Sequence, residues 1–140
     1  MRYEDWVAKI NNNVNIPDEV WGKSLTYLAF NDYEKLVGLL SVRFDLTENL
    51  ANKYGHIGYG VRPSERRKGY ATKMLRFALE ECKRLGMNKV ILGCYKENIG
   101  STKTIIKNGG KLAKEVDEYK EINEFWKINL KKQFYEIELN

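Results

Sequence analysis

Residues 56 to 94 constrain the fold most. His56-Ile57-Gly58-Tyr59-Gly60-Val61 reads as a strand. Strict alternation puts His56, Gly58 and Gly60 on one face and Ile57, Tyr59 and Val61 on the other. Two glycines clear one face, which marks a bend or a close approach by another backbone or a ligand. Arg62-Pro63-Ser64-Glu65 then turns the chain. From Gly69 to about Leu85 the residues Ala71, Met74, Ala78, Cys82 and Leu85, widened by Leu75 and Leu79, recur at helical spacing. Gly86 closes that helix. Lys89 to Cys94 contains the apolar run Val90-Ile91-Leu92, which fits a buried strand. Strand, helix and strand in this order make one βαβ crossover, so the chain builds a sheet with helices packed on it.

The flanking segments add strands. Asp5 to Asn12 reads as a short helix, with Trp6, Val7 and Ile10 on one side, broken at Asn11-Asn12-Asn13 and Pro17-Asp18. Ser24 to Asn31 and Lys35 to Phe44 form a hairpin about the turn Asn31-Asp32-Tyr33-Glu34. Thr47 caps a short helix over Glu48 to Lys53. Asn98 or Ser101 caps a helix that runs to Lys107 and stops at Asn108-Gly109-Gly110. Lys111 to Val116 and Glu124 to Leu130 pair antiparallel across a polar connection, Asp117 to Asn123, and the tail Lys131 to Asn140 extends the last strand. The expectation is one domain over residues 1–140, of mixed α/β class, with a mostly antiparallel twisted sheet and helices on both faces.

Composition excludes several classes. At 140 residues and 43% hydrophobic, the chain can bury a core without staples and is not a disordered composition. No stretch approaches the ~18–20 apolar residues of a membrane span. No signal peptide is visible. Two cysteines, Cys82 and Cys94, and one histidine give neither a disulfide framework nor a zinc site, so no metal is expected. The expected setting is the reducing cytoplasm.

The +5 charge is concentrated. Residues 62 to 89 hold nine basic and three acidic side chains; the rest of the chain holds 15 and 16. Lys83, Arg84 and Lys89 need no more than a solvated helix face. Such a basic window needs an anionic partner or a solvent-facing reason, and Arg66, Arg67 and Lys68, directly before Gly69, suit an anion. A helix start there offers free backbone N–H groups and a partial positive charge, and Gly69 lets a phosphate approach the backbone. A pyrophosphate fits that design. The motif is neither a Walker A loop nor Gly-x-Gly-x-x-Gly. A nucleic-acid partner is disfavoured, because no stacking platform accompanies the basic window.

Arg66-Arg67-Lys68-Gly69-Tyr70-Ala71 resembles the (Gln/Arg)-x-x-Gly-x-(Gly/Ala) acyl-CoA motif of the GNAT superfamily of N-acetyltransferases. The strand ending Gly60-Val61-Arg62-Pro63 before it and the long helix after it match that context. Asn98-Ile99-Gly100-Ser101 is similar to the Asn-x-x-(Ala/Ser) that opens the family's next helix, and Gly109-Gly110 stands where members usually have Gly-Phe. The resemblance covers about residues 24 to 130. It implies acetyl-CoA as co-substrate. Backbone groups of Tyr59, Gly60 and Val61 would pair with the pantetheine arm. N–H groups from Arg67 through Gly69, Tyr70 and Ala71 to Thr72 would hold the pyrophosphate. Arg66 and Lys68 would add charge, and Asn98 would lie near the thiol end while also capping its helix.

Acetyl transfer needs a deprotonated amine, a stabilised thioester oxygen and a proton for the leaving thiolate. In the family a base near the middle strand is often a Glu, and the acid is often a Tyr seven residues past the Asn. Here that position is Ile105. His56 is the candidate base, since an ordinary imidazole titrates near ~6.5; the alternative is a strand-end histidine bonded to backbone. Tyr59, Asp45 and Glu48 are weaker candidates. About 23 residues precede the hairpin, where members commonly place a strand and one or two helices. The fold is therefore expected to be short at its N-terminal end, without the first strand. The exposed edge Ser24 to Asn31 would then be covered by a second copy in a homodimer, by the N-terminal segment or by the tail. The functional expectation is acetyl transfer from acetyl-CoA to a primary amine of a small molecule or peptide, by direct attack on the thioester. The alternative is a catalytically impaired CoA-binding protein with a regulatory or structural role, suggested by Ile105 and the short front.

Overall fold

The computed structural model describes residues 7–12 and 24–139, and its strands fall into two sheets. The first is wholly antiparallel in the order β1 (Val7–Asn12), β2 (Ser24–Phe30), β3 (Leu36–Arg43) and β4 (Ile57–Val61). The second has the order β5 (Lys89–Tyr95), β7 (Lys127–Glu138), β6 (Lys111–Glu121), also antiparallel. Among the described residues three α-helices link the strands, α1 (Glu48–Tyr54), α2 (Tyr70–Arg84) and α3 (Ile99–Lys107), and α2 runs from the first sheet to the second.

The crossover β4–α2–β5 is present as the periodicity predicts. Met74, Leu75, Ala78 and Cys82 on one face of α2 are buried against Tyr27, Leu40 and Val42 of the first sheet and Val90 and Leu92 of the second. Full burial of each large apolar side chain is worth about 1.5–3 kcal/mol, so this stripe holds α2 across both sheets. The period of two in β5 separates two layers. Val90 and Leu92 join the main core, whereas Ile91 joins Ala51 of α1 and Phe134 of β7 in a second cluster. Helices thus cover both faces. Thr47 caps α1, its Oγ1 accepting from Leu50 N–H at 3.3 Å. No helix among the described residues is long and apolar enough to cross a membrane.

Two expectations change. Val7 to Asn12 is a strand, not part of a helix; it pairs with β2 from Val7–Ala29 to Asn12–Ser24. Six residues cannot sustain an isolated helix, while the open edge of β2 offers a row of backbone partners. The first strand is therefore present, and the N-terminal segment is what covers β2. Asp5 and Trp6, and the break at Asn13 and Pro17-Asp18, lie outside the described residues. The second change is at the closing hairpin. Residues 117–121 continue β6, and the turn is Ile122 to Trp126, closed by Ile122 N–H to Trp126 O at 2.9 Å. Lys111 to Val116 consequently pairs with Lys132 to Glu136 of the tail rather than with Glu124 to Leu130. Cross-strand charge pairs such as Asp117–Lys131 (3.0 Å) support a strand where composition alone suggested a loop.

Candidate active site

β4 and β5 lie in different sheets and are joined at one end. His56 N–H donates to Ile91 O at 2.7 Å, and Ile91 N–H donates to His56 Nδ1 at 2.9 Å. Gly55 makes this junction possible. Its φ is +82°, and a Cβ there would sit 3.1 Å from Ile91 O and 3.2 Å from Gly93 N. Beyond the junction the two strands share no ladder among the described residues. The fork opens toward Tyr59, Gly60 and Val61.

A cleft of about 590 Å³ fills the space between the fork, the start of α2 and α3. Its lining includes Tyr59, Gly60, Val61, Arg66, Arg67, Gly69, Tyr70, Ala71, Thr72 and Asn98, which the sequence places around the cofactor. Lys68 and His56 do not line it. Gly69 is the N-cap of α2, with φ +82° and no side-chain cap, and the space where its Cβ would stand is open. The first N–H groups of α2 therefore face the cleft without an intrahelical acceptor. Arg67 has φ +64°. Left-handed residues at positions 67 and 69 curl the backbone into the kind of concave N–H surface that binds anions.

The three cations before Gly69 have separate tasks. Arg66 Nε donates to Val61 O at 3.2 Å and ties the loop to the end of β4. Lys68 pairs with Glu65 at 2.7 Å. Arg67 makes no ion pair among the described residues. Glu65 is buried (4% exposed) and also holds Lys35 of the β2–β3 turn at 2.8 Å. Its hydrogen bonds from Lys35 and then Lys68 bring the carboxyl down to about 2. Sequence reasoning placed Glu65 only in a turn; the fold makes it the anchor of the loop. It also missed Lys103, which lines the cleft with Lys107 one helical turn later. Their i, i+4 spacing on α3 was the available signal.

α3 closes the other wall. Asn98 Oδ1 accepts from Ser101 N–H at 3.1 Å, the cap expected of it. Asn108 Nδ2 donates to Thr72 O at 3.3 Å and to Thr104 O at 3.0 Å, joining the end of α3 to the start of α2. Tyr59 OH and Ser101 Oγ lie 2.9 Å apart across the cleft. Burial raises the Tyr59 hydroxyl, partly offset by the hydrogen bond with Ser101. Ile105 is 1% exposed and belongs to the core. The glycine face of β4 is only partly open. A Cβ at Gly58 would stand 3.2 Å from an Arg43 guanidinium nitrogen, whereas Gly60 has open space.

His56 sits at the junction, where its Nδ1 lone pair already accepts a hydrogen bond. The neutral ring then carries its proton on Nε2, which leaves no free lone pair for a base. Burial, followed by the positive charges of Lys89 and Arg43, lowers its pKa. This is the strand-end, backbone-bonded histidine that was the alternative reading. A folded-state value below the unfolded ~6.5 means that the unfolded chain binds the extra proton first. His56 therefore costs stability as pH falls below ~6.5, and the cost is complete once pH is below the folded value. Thermal melts from pH 8 to 5 are expected to show this loss. His56→Asn, which keeps an acceptor but cannot titrate, is expected to flatten the slope. An equal slope in both proteins would refute the clamp.

Cys82 and Cys94 are buried and free, and burial pushes the Cys82 thiol up to about 12. Neither has the makings of a nucleophile.

The fold is a mixed α/β one, with the uncapped start of α2 facing a cleft at the fork between two sheets. The chain belongs to the GNAT acetyltransferase family: residues 3–109 match its family model. Among solved structures, a GNAT superfamily phosphinothricin acetyltransferase from Sinorhizobium meliloti, in complex with acetyl-CoA, is similar with a TM-score of 0.67. Identity is 16%, covering 84% of this chain and 62% of that one. A ribosomal-protein-alanine N-acetyltransferase from Brucella melitensis gives 0.66 at 17%, covering 83% and 69%. An N-acetyltransferase from Staphylococcus aureus Mu50 gives 0.65 at 20%, covering 84% and 68%. The chain thus spans about two thirds of the length of these relatives, and the likeness is one of fold. No curated protein matches it in sequence.

Proposed function

We propose that the protein transfers the acetyl group of acetyl-CoA to a primary amine of a small molecule or peptide, by direct attack of the amine on the thioester. The observation that carries this reading is the uncapped start of α2 facing a cleft at the fork of β4 and β5. Its N–H groups, with Arg67, Lys103 and Lys107, would hold the phosphates. Tyr59, Gly60 and Val61 would flank the pantetheine arm. Bound acetyl-CoA supplies an activated acyl carbon. When the new C–N bond forms and the C–S bond breaks, the amine proton leaves to solvent and the thiolate takes a proton.

Tyr59 is the group best placed to give that proton. Its hydroxyl is inside the cleft, is kept protonated by burial, and touches Ser101, which can orient it. It would fill the role left empty by Ile105. His56 would position the fork rather than take the amine proton.

Calorimetry with acetyl-CoA tests the binding half of the proposal; no heat at physiological salt would end it. Release of free CoA thiol across a panel of amines tests the catalytic half. Binding without release for any amine would leave the CoA-binding alternative instead. Tyr59→Phe is expected to lower kcat by about 10²-fold, the lower range for loss of a general acid, while the acetyl-CoA affinity stays within a few-fold. An unchanged kcat would exclude Tyr59 as the donor.

A further inference from the structure

The β6–β7 hairpin leaves the body of the protein. β5 ends at Tyr95, opposite Lys132, and Lys96 N–H still donates to Lys131 O at 2.8 Å, but among the described residues no third strand lies beside the pairs from Asp117–Lys131 to Glu121–Lys127. This overhang is roughly 17 Å at the usual rise per residue. It is also the most apolar exposed part of the described chain. Tyr119 is 71% exposed, Phe125 83% and Trp126 67%, with Ile122 exposed beside them. β6 is the outer strand of its sheet, and among the described residues no strand pairs with its other edge.

We propose that this edge is a dimer interface, in which β6 of one copy pairs antiparallel with β6 of another. Symmetry restricts the register. A two-fold axis must map hydrogen-bonded pairs onto hydrogen-bonded pairs, so it passes through a residue opposite its own copy. Centring on Val116 sets Lys114 of each chain against Glu118 of the other, on one face of the joined sheet. Centring on Asp117 instead would set Lys114 against Lys120, and centring on Glu115 would set it against Val116. The one like-charge pair in the Val116 register, Glu115 with Asp117, is already compensated within each chain. Glu115 lies 3.7 Å from Lys96 and accepts from Gln133 at 3.1 Å, and Asp117 lies 3.0 Å from Lys131.

The same register carries the hairpin tip past Lys111 of the partner copy, to the turn between α3 and β6. Ile106 and Leu112 are exposed there, 54% and 55%. Ile122, Phe125 and Trp126 of one copy would cover them. The charge pattern and the apolar pattern select the same partner, a second copy of this chain.

The wild-type protein is expected to sediment at twice its 16.4 kDa chain mass at micromolar concentration. Val116→Cys is expected to form an inter-chain disulfide under mild oxidation, because opposed residues of an antiparallel pair lie within disulfide reach. Wild type is expected to stay uncross-linked, since Cys82 and Cys94 are buried. Glu118→Lys is expected to weaken the dimer by about 10²-fold through like-charge opposition. Adding Lys114→Glu to it is expected to restore the dimer, with circular dichroism confirming that each variant is folded. A monomeric wild type, a dimer indifferent to Glu118→Lys, a failure of the charge swap to rescue, or a reduced Val116→Cys protein would each overturn the proposal.

Discussion

Gly69→Glu is expected to abolish acetyl-CoA binding, weakening it by at least about 10²-fold. Two effects act together. An L residue at φ +82° is strained by about 1–2 kcal/mol, which disturbs the backbone whose N–H groups form the cradle. The added carboxylate also stands at the uncapped start of α2. A like charge about 4 Å from a phosphate costs about 4 kcal/mol at the effective dielectric of a protein surface. The fold should survive, because a Cβ at this position meets nothing within 4 Å. Gly69→Asn is the matched control: asparagine tolerates the left-handed conformation and brings no charge, so most of the affinity should remain. Calorimetry on both folded variants decides the matter, and a Glu variant that binds within a few-fold of wild type would show that the phosphates lie elsewhere.

Gly38→Ala is expected to be strongly destabilising. A Cβ on Gly38 would stand 2.5 Å from the carbonyl oxygen of Gly60 and 3.0 Å from Met74 Cε. Met74 can shift its flexible end, but the Gly60 oxygen belongs to β4 and can move only with the strand. Overpacking of this kind costs about 3 kcal/mol, or roughly 10 °C in Tm for a chain of this size. Gly60 is also a wall of the cleft, so acetyl-CoA affinity should fall with stability. Urea unfolding measures the first effect and calorimetry the second. An unchanged midpoint would mean that β3 and β4 are not packed this closely.

The half of the cleft proposed for the cofactor was legible because it is local. The proposed anion cradle is built from consecutive residues, Arg66 to Thr72, where a strand hands over to a helix, and the signals for that are a glycine, a basic run and a helical stripe. The roles of the individual cations were not legible. Lys68 is held by Glu65, and Arg66 is spent on the Val61 carbonyl. Those contacts depend on how a turn folds back on itself and on Lys35, 30 residues earlier. Tyr59 and Ser101 are 42 residues apart in the chain and meet only because α3 packs on α2 and β5, which brings its first turn to Tyr59. His56 was a candidate base by its residue type, and only the position of Ile91 showed that its lone pair is engaged.

The sequence alone determined the crossover β4–α2–β5, the β2–β3 hairpin, the buried face of α2, and a helix start that opens on a glycine after a basic run. Each follows from a short-range period or a capping residue, and short-range physics fixes it. Tertiary structure decided that Val7 to Asn12 is a strand, because an open sheet edge outweighs the weak preferences of six residues. It also decided that the polar segment 117–121 is a paired arm, because cross-strand ion pairs and a long partner strand outweigh composition. And it decided which groups of the cleft remain free to act, because hydrogen-bond partners are assigned by packing and not by residue type.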